Sequence, residues 1–215
     1  MAGRRTRERQ ASGEAHPTRD LIIEATAGLM KKKGVTALHI DDVLEATGLT
    51  RGAVYHHFEN VDDLIENALL ATYSEGVDIN IAFIRNILAT AKSLKEFRSG
   101  VLQANVLYAE NRKLREVRKL RAHALAVASP GGSLAKGLEA DQKRLTDEYV
   151  AVITAAQSKG WVRKDVEPRA LAVFIQAYSF GAIVDDVAAE HLDVASWQRI
   201  IETFFENCVF DGPPR

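Results

Sequence analysis

The sequence predicts an all-α protein, and three observations carry that prediction. Apolar residues recur at helical spacing, no run of alternating apolar and polar residues is bounded by turn signals, and β-branched residues are scattered. The 215 residues are 47% hydrophobic and 27% charged, an ordinary composition for a globular chain. We therefore expect about nine helices, arranged as an N-terminal three-helix unit and a C-terminal helical domain.

The first three helices form a compact group that follows a polar, Arg-rich arm. Pro17 ends the arm, Thr18 is placed to cap the first helix, and Gly34 ends that helix. Gly48-Leu49-Thr50 separates the second helix from the third. These helices are predicted at residues 18–33, 40–47 and 51–58, within a domain that spans 17–60 after the flexible arm at 1–16.

The remaining residues, 61–215, are predicted to form a helical effector-binding and dimerisation domain. Asn60 can cap a long helix, because Asp62 and Asp63 follow in its first turn. Pro168 suits the first turn of a later helix. The helices are predicted at residues 60–88, 93–110, 112–128, 138–159, 168–191 and 194–208.

Composition and spacing argue against several classes of protein. The single cysteine, Cys208, excludes a disulfide framework and a cysteine-based metal site, and it favours a reducing compartment. His56 and His57 are adjacent and point about 100° apart on a helix, without a third ligand nearby, so no metal site is expected. No motif indicates catalysis, a cofactor or a membrane span. A cytoplasmic non-enzyme is expected.

The charge distribution favours the N-terminus as a nucleic-acid surface. The whole chain has a net charge of −1, but residues 1–33 hold eight Lys or Arg against four Asp or Glu, a local excess of four positive charges. A solvated basic tail is the alternative interpretation of this excess. The segment 39–64 decides between them, because two short helices joined by a tight turn with Gly48 are typical of a helix-turn-helix.

Residue types on the second of these helices suit contact with DNA. Thr50 can cap the helix, Arg51 can reach base edges, and the small side chains of Gly52 and Ala53 permit close approach. Val54 and Phe58 lie one turn apart and should face the core. The predicted DNA-contacting residues are His39, Thr50, Arg51, Gly52, Ala53, Tyr55, His56 and His57, with Arg4 and Arg5 from the arm.

These motifs resemble the tetracycline-repressor (TetR) family of bacterial transcription regulators. The resemblance rests on a lysine-rich turn before Gly34, on residues 46–50 (ATGLT), on residues 51–58 (RGAVYHHF) and on Leu64, and it covers about 18–70. It implies a homodimer that binds a pseudo-palindromic operator as a repressor, and a small-molecule effector whose binding tilts the fourth helix and releases the DNA. An activator, or a regulator answering to a protein partner, stays open.

Three positions depart from the family pattern. Leu38-His39 replace the usual Ser or Thr at the start of the second helix, Asp41 occupies an often basic position, and Val61 replaces an expected lysine. Each departure removes an expected phosphate contact, so DNA binding should be less salt-sensitive than is usual, unless the arginines of the arm compensate from the minor groove. The departures also lend weight to an alternative function, a helical ligand-binding or catalytic protein whose N-terminal unit mediates protein contacts.

Apolar helices of the C-terminal domain predict an effector cavity and a dimer interface. The cavity needs an apolar wall with a few orienting polar groups. The last two helices carry apolar residues over a broader face than the core of one subunit requires. The effector, a hydrophobic or amphipathic molecule, is expected near Tyr73, Phe97, Asn105, Tyr108, Tyr149, Gln176 and Tyr178. The dimer interface is expected at Phe174, Tyr178, Gly181, Trp197, Ile201, Phe204 and Cys208.

Overall fold

The computed structural model describes residues 16–110 and 112–211, with side chains throughout except at 107–110 and 112–113. Within these ranges the chain is helical apart from its connections, and an isolated antiparallel bridge joins Val162 to Phe210. The predicted all-α fold is confirmed. Over the same ranges, no helix combines the length and apolarity that crossing a membrane would require. The described chain divides into two compact units, with the division between Ala71 and Thr72.

The N-terminal unit consists of three helices and the beginning of a fourth. They are α1 (Pro17–Lys33), α2 (Ile40–Thr47), α3 (Arg51–His57) and α4 (Val61–Thr90). α1 begins at Pro17, and no side chain caps it, so the predicted cap by Thr18 is wrong. Proline suits the first helical position because its fixed φ is already helical. Val43, Val54 and Leu64 are completely buried in the core of this unit.

The C-terminal unit contains the rest of α4 and five further long helices. They are α5 (Leu94–Glu110), α6 (Arg112–Val127), α7 (Ser133–Ser158), α8 (Pro168–Gly181) and α9 (Val194–Phe204), with π-helical residues Phe205–Val209 after α9. Its core includes Phe97, Ile153, Leu171, Phe205 and Phe210, all buried. The edge-to-face contact of Phe97 with Phe210, at 6.2 Å between ring centroids, brings the C-terminal segment against α5.

Two helix bounds differ from those predicted by five residues or more. α7 begins at Ser133 rather than at residue 138, because Gly131 adopts a left-handed φ of 78° and lets the chain enter the helix early. α8 ends at Gly181 rather than at residue 191. A helical turn follows it, and the Asp185 carboxylate then accepts a hydrogen bond from the backbone N–H of Leu192 at 2.8 Å, which stabilises a loop there.

A buried ion pair joins this loop region to α6. The Arg118 guanidinium donates through Nε and Nη2 to the two carboxylate oxygens of Asp186, at 2.6 and 2.7 Å. The two side chains are only 2% and 3% exposed. The Arg118 hydrogen bond lowers the pKa of Asp186 below its usual 3.8 and outweighs the opposing effect of burial. Asp186 is therefore a structural anion rather than a solvated one.

Candidate nucleic-acid interface and effector cavity

Both ends of α2, including the turn that leads into α3, are held by interactions that the sequence specifies. The backbone N–H of His39 donates to the Asp42 carboxylate at 2.8 Å, so Asp42 anchors the start of α2. Lys33 pairs with the same carboxylate, and this contact is the main reason that the pKa of Asp42 is lowered. Gly48 ends α2 in the left-handed conformation, with φ at 69° and ψ at 12°. These contacts fix the direction in which α3 begins.

The first turn of α3 is capped as predicted, and its small residues are not required by the fold. Thr50 Oγ1 accepts a hydrogen bond from the backbone N–H of Ala53 at 3.2 Å. A methyl group added at Gly52 would meet no other described part of the protein within 4 Å. Gly52 is exposed, whereas Val54 and Phe58 are buried as predicted. The small size of residue 52 therefore matters only toward something outside this unit.

Arg51, the first residue of α3, pairs with one of the unusual residues of α2. Its Nη2 atom donates to Asp41 Oδ1 at 2.6 Å. The Arg51 and Asp41 side chains are 54% and 77% exposed, so water screens their attraction. The contact between Arg51 and Asp41 was not predictable from the sequence, because the distance between α2 and α3 is set by the turn and the core. The pair holds the predicted base-reading group beside a carboxylate.

The remaining predicted contacts of α3 are divided between surface and partly buried positions. Tyr55 and His56 are exposed, as is His39 at the start of α2. His57 is partly buried, and its ring lies 5.2 Å from that of His56. Burial is the largest cause that lowers the pKa of His57, followed by the nearby charges of His56, His16 and Arg19. At neutral pH His57 is therefore a neutral donor. The predicted contacts of Arg4 and Arg5 lie outside the described residues.

A cavity of about 140 Å³ lies inside the C-terminal unit. Five of the predicted effector residues line it: Phe97, Asn105, Tyr149, Gln176 and Tyr178. Tyr73 is not among the lining residues, because its hydroxyl donates to Gln142 Oε1 at 2.7 Å instead. The side chain of Tyr108 lies outside the described residues. The prediction missed Arg121, Asn80 and Ser179, which also line the cavity.

Hydrogen bonds connect most of the polar groups in and around this cavity. The Tyr178 hydroxyl donates to Asn105 Oδ1. Gln142 Nε2 donates to Gln176 Oε1 at 2.6 Å, and Gln176 Nε2 donates in turn to Thr146 Oγ1 at 3.2 Å. These side chains fix one another in orientation, so the polar part of the wall is preorganised.

The predicted dimer residues fall into exposed and internal groups. Ile201 is only 4% exposed and packs in the core of its own subunit, so this structure does not present it to a second copy. The adjacent Ile200 is 63% exposed instead. The Phe174 ring lies 4.5 Å from that of Phe204 and is itself exposed. Gly181 and Cys208 are also exposed, whereas Trp197, Phe204 and Tyr178 are partly buried.

Comparison with known proteins gives a family match over the N-terminal unit. The family model described as "Bacterial regulatory proteins, tetR family" matches residues 22–68. The HTH-type transcriptional regulator TtgR of Pseudomonas putida is 43% identical over 75 residues, which cover 35% of this chain and 33% of TtgR. The chain therefore spans about a third of the length of this relative. The transcriptional repressor KstR2 of Mycolicibacterium smegmatis is 25% identical over 148 residues, 67% of this chain and 61% of KstR2.

Solved structures share the fold over most of the chain. A TetR transcriptional regulator from Chloroflexus aurantiacus superposes with a TM-score of 0.67 at 22% identity, covering 91% of this chain and 97% of that one. A transcriptional regulator from Saccharomonospora viridis, solved in complex with choline, gives a TM-score of 0.69 at 17% identity, covering 90% of this chain and 98% of that one. Identity this low demonstrates a shared fold.

Proposed function

Because the chain belongs to the tetR family of bacterial regulatory proteins, we propose that it is a DNA-binding transcriptional repressor. It binds a pseudo-palindromic operator in the cytoplasm as a homodimer, and a small hydrophobic or amphipathic effector releases it. The observation that carries the proposal is the surface of α3. There a capped helix presents Arg51, Gly52 and Tyr55 to solvent while Val54 and Phe58 hold it to the core.

Each exposed residue of α3 has a role in this function. Arg51 reads a base edge, and its planar guanidinium suits the two acceptors of guanine in the major groove. Gly52 and Ala53 let the backbone approach the bases closely. Tyr55, His56 and Thr50 contact phosphates or sugars and fix the register of the helix. His39 contributes a similar backbone contact from the start of α2. His57 contributes an uncharged one.

The cavity supports the effector part of the proposal. It is mostly apolar, and the polar side chains in its wall are held in place by hydrogen bonds, as is usual for a small-molecule site. An effector releases DNA only if it prefers the conformation that does not bind the operator. A preference of about 2.8 kcal/mol weakens operator binding about a hundredfold.

Exposed apolar residues on α8, on the turn after it and on α9 support the homodimer. Val173, Phe174, Val184, Val187 and Ile200 are all exposed, which is unusual for so many large apolar side chains near one another in sequence. A second copy of the chain would bury them, as a four-helix interface between subunits requires.

A gel shift tests the DNA-binding proposal directly. The probe is the upstream region of the protein's own gene, with an excess of random DNA as competitor. Arg51→Ala is expected to weaken operator binding by about 1 to 3 kcal/mol and to relax the preference at one base pair. Arg85→Ala, which removes an exposed arginine from the C-terminal unit, is the matched control and should bind normally.

The competing outcomes of this experiment are distinct. Equal losses on operator and random DNA for Arg51→Ala would mean that Arg51 contacts only phosphate. Absence of a shift for the wild-type protein at moderate ionic strength would favour the alternative function, a helical ligand-binding protein whose N-terminal unit contacts other proteins.

A further inference from the structure

The C-terminal cavity has a single formally charged group among the lining residues that the structure describes, the guanidinium of Arg121. The other polar lining residues are amides, hydroxyls and phenols, so the described wall carries a net charge of +1. Arg121 belongs to α6, in the helical turn after Arg118. The charge is therefore attached to a regular helix, and its position in the wall is fixed by the fold.

Within the described part of the chain, Arg121 is held by aromatic rings rather than by a carboxylate. Its guanidinium carbon lies 4.9 Å from the centroid of the Tyr73 ring and 5.9 Å from that of Phe180. Its Nε atom is buried and has no hydrogen-bond partner among the described residues. Arg121 as a whole is half-buried, whereas Arg98 and Arg118 are buried and pair with Glu206 and Asp186 at 3.1 and 2.6 Å.

The guanidinium of Arg121 is therefore available to bind an anion from outside the protein. A guanidinium partly withdrawn from water, with its Nε atom buried, loses hydration that contact with aromatic rings offsets only in part, and a paired anion would offset the rest. The neighbouring polar groups are already engaged, because Tyr178 bonds to Asn105 and Gln142 bonds to Gln176. An incoming acceptor would therefore find its strongest partner in Arg121.

We propose that the effector is a small apolar carboxylic acid, bound as its anion, whose carboxylate pairs with Arg121. The planar guanidinium matches a carboxylate with two parallel hydrogen bonds. The remainder of the cavity, lined by residues such as Phe97, Ile153 and Ile175, receives the apolar part. The inference rests on the proposed function, because it assigns a chemical class to the effector of that same cavity.

The volume of the cavity limits the size of the acid. An engineered protein cavity of about 150 Å³ holds one benzene molecule, and the cavity in this protein measures about 140 Å³. An acid with a single aromatic ring or a short alkyl chain therefore fits without rearrangement. A bulky polycyclic acid does not.

Isothermal titration of the full-length protein with matched probes tests this assignment. The probes are benzoate and octanoate, their primary amides, and the corresponding amines, benzylamine and octylamine. At least one acid is expected to bind about 10- to 100-fold more tightly than its amide, because a hydrogen bond to a charged group is stronger than one between neutral groups. The amines, which carry the same charge as Arg121, should bind least.

Variants of Arg121 then test whether its charge causes the preference for acid over amide. Arg121→Gln should abolish the preference for acid over amide, whereas Arg121→Lys should retain part of it. Arg163→Gln, which removes an exposed arginine paired with Asp165, is the matched control and should behave as wild type. Circular dichroism confirms that each variant is folded. The comparison of acid with amide on the wild-type protein needs no variant.

The possible outcomes separate this inference from the proposed function. Equal binding of acid and amide, no saturable binding of either acid, or an unchanged preference in Arg121→Gln would each overturn the carboxylate assignment. If the wild-type protein still shifts its operator in those cases, the regulator proposal stands. Selective acid binding without any operator shift would support the carboxylate site and contradict the regulator.

Discussion

Replacement of Asp41 by asparagine is predicted to strengthen DNA binding. In the free protein the Asp41 carboxylate accepts a hydrogen bond from Arg51 at 2.6 Å, and the predicted role of Arg51 is to read a base. Binding to DNA therefore requires Arg51 to leave Asp41. It also brings the Asp41 charge toward the phosphates of the operator. Asp41→Asn removes both penalties while it keeps the size of the side chain.

The exposure of the pair sets the size of the effect. Side chains that are 54% and 77% exposed form an ion pair worth about 0.2 to 1 kcal/mol, so release of Arg51 costs at most about a factor of five per chain. A carboxylate about 8 Å from a phosphate adds about 0.5 kcal/mol of repulsion in water before salt screens it. Summed over the two sites of a dimer, the ion-pair term alone gives the variant about 2- to 30-fold tighter binding, and unscreened repulsion raises the gain to about 10- to 160-fold.

Fluorescence anisotropy with a labelled operator measures this change at several salt concentrations. The gain should be largest at low salt, because screening weakens the repulsion. Asp165→Asn is a closely matched control, since Asp165 pairs with Arg163 at the same distance, 2.6 Å, in the C-terminal unit. Equal affinities for the two variants, or weaker binding by Asp41→Asn, would refute the reasoning. Weaker binding would mean that Asp41 positions Arg51 in the complex.

Three further predictions concern the cap, the buried ion pair and the dimer. Thr50→Ala should lower the free energy of unfolding by about 1 kcal/mol in urea denaturation, because the cap of α3 is lost; an unchanged midpoint would contradict the role of the cap. Asp186→Ala should cost about 3 to 5 kcal/mol, because it removes the carboxylate that pairs with the buried guanidinium of Arg118. Since folding lowers the pKa of Asp186, the stability that its carboxylate contributes in the wild type is complete above about pH 4 and declines as the pH falls. The same loss of unfolding free energy at low pH in Asp186→Asn as in the wild type would refute this. Ile200→Glu should give monomers in sedimentation velocity, while Leu125→Glu, at another exposed position, should leave the dimer intact; a dimeric Ile200→Glu would reject α9 as the interface.

Features fixed by neighbours in sequence were the most predictable. The turn at Gly48 and the cap at Thr50 depend on interactions within three or four residues, so residue type and spacing determine them. The end of α8 was not predictable in this way. It depends on the Asp185 carboxylate, which accepts a hydrogen bond from Leu192 seven residues later. The π-helical turn after α9 likewise has no local signal.

The residues that line the cavity could be predicted only in part from the sequence. Aromatic and amide residues on apolar helix faces were expected to line it, and five of them do. Arg121 was missed because α6 is rich in arginine and lysine, and its spacing alone does not distinguish an arginine in the cavity wall from one in solvent. The same limit explains Ile200 and Ile201, since one residue of register decides which of the two faces the core.

Methylation protection of the upstream region of the gene tests the central claim most directly. The method reports access to guanine N7, which lies in the major groove. Two protected clusters are expected, related by a dyad and separated by about 10 base pairs or a multiple of that spacing. A single cluster, or no protection at moderate ionic strength, would contradict this expectation.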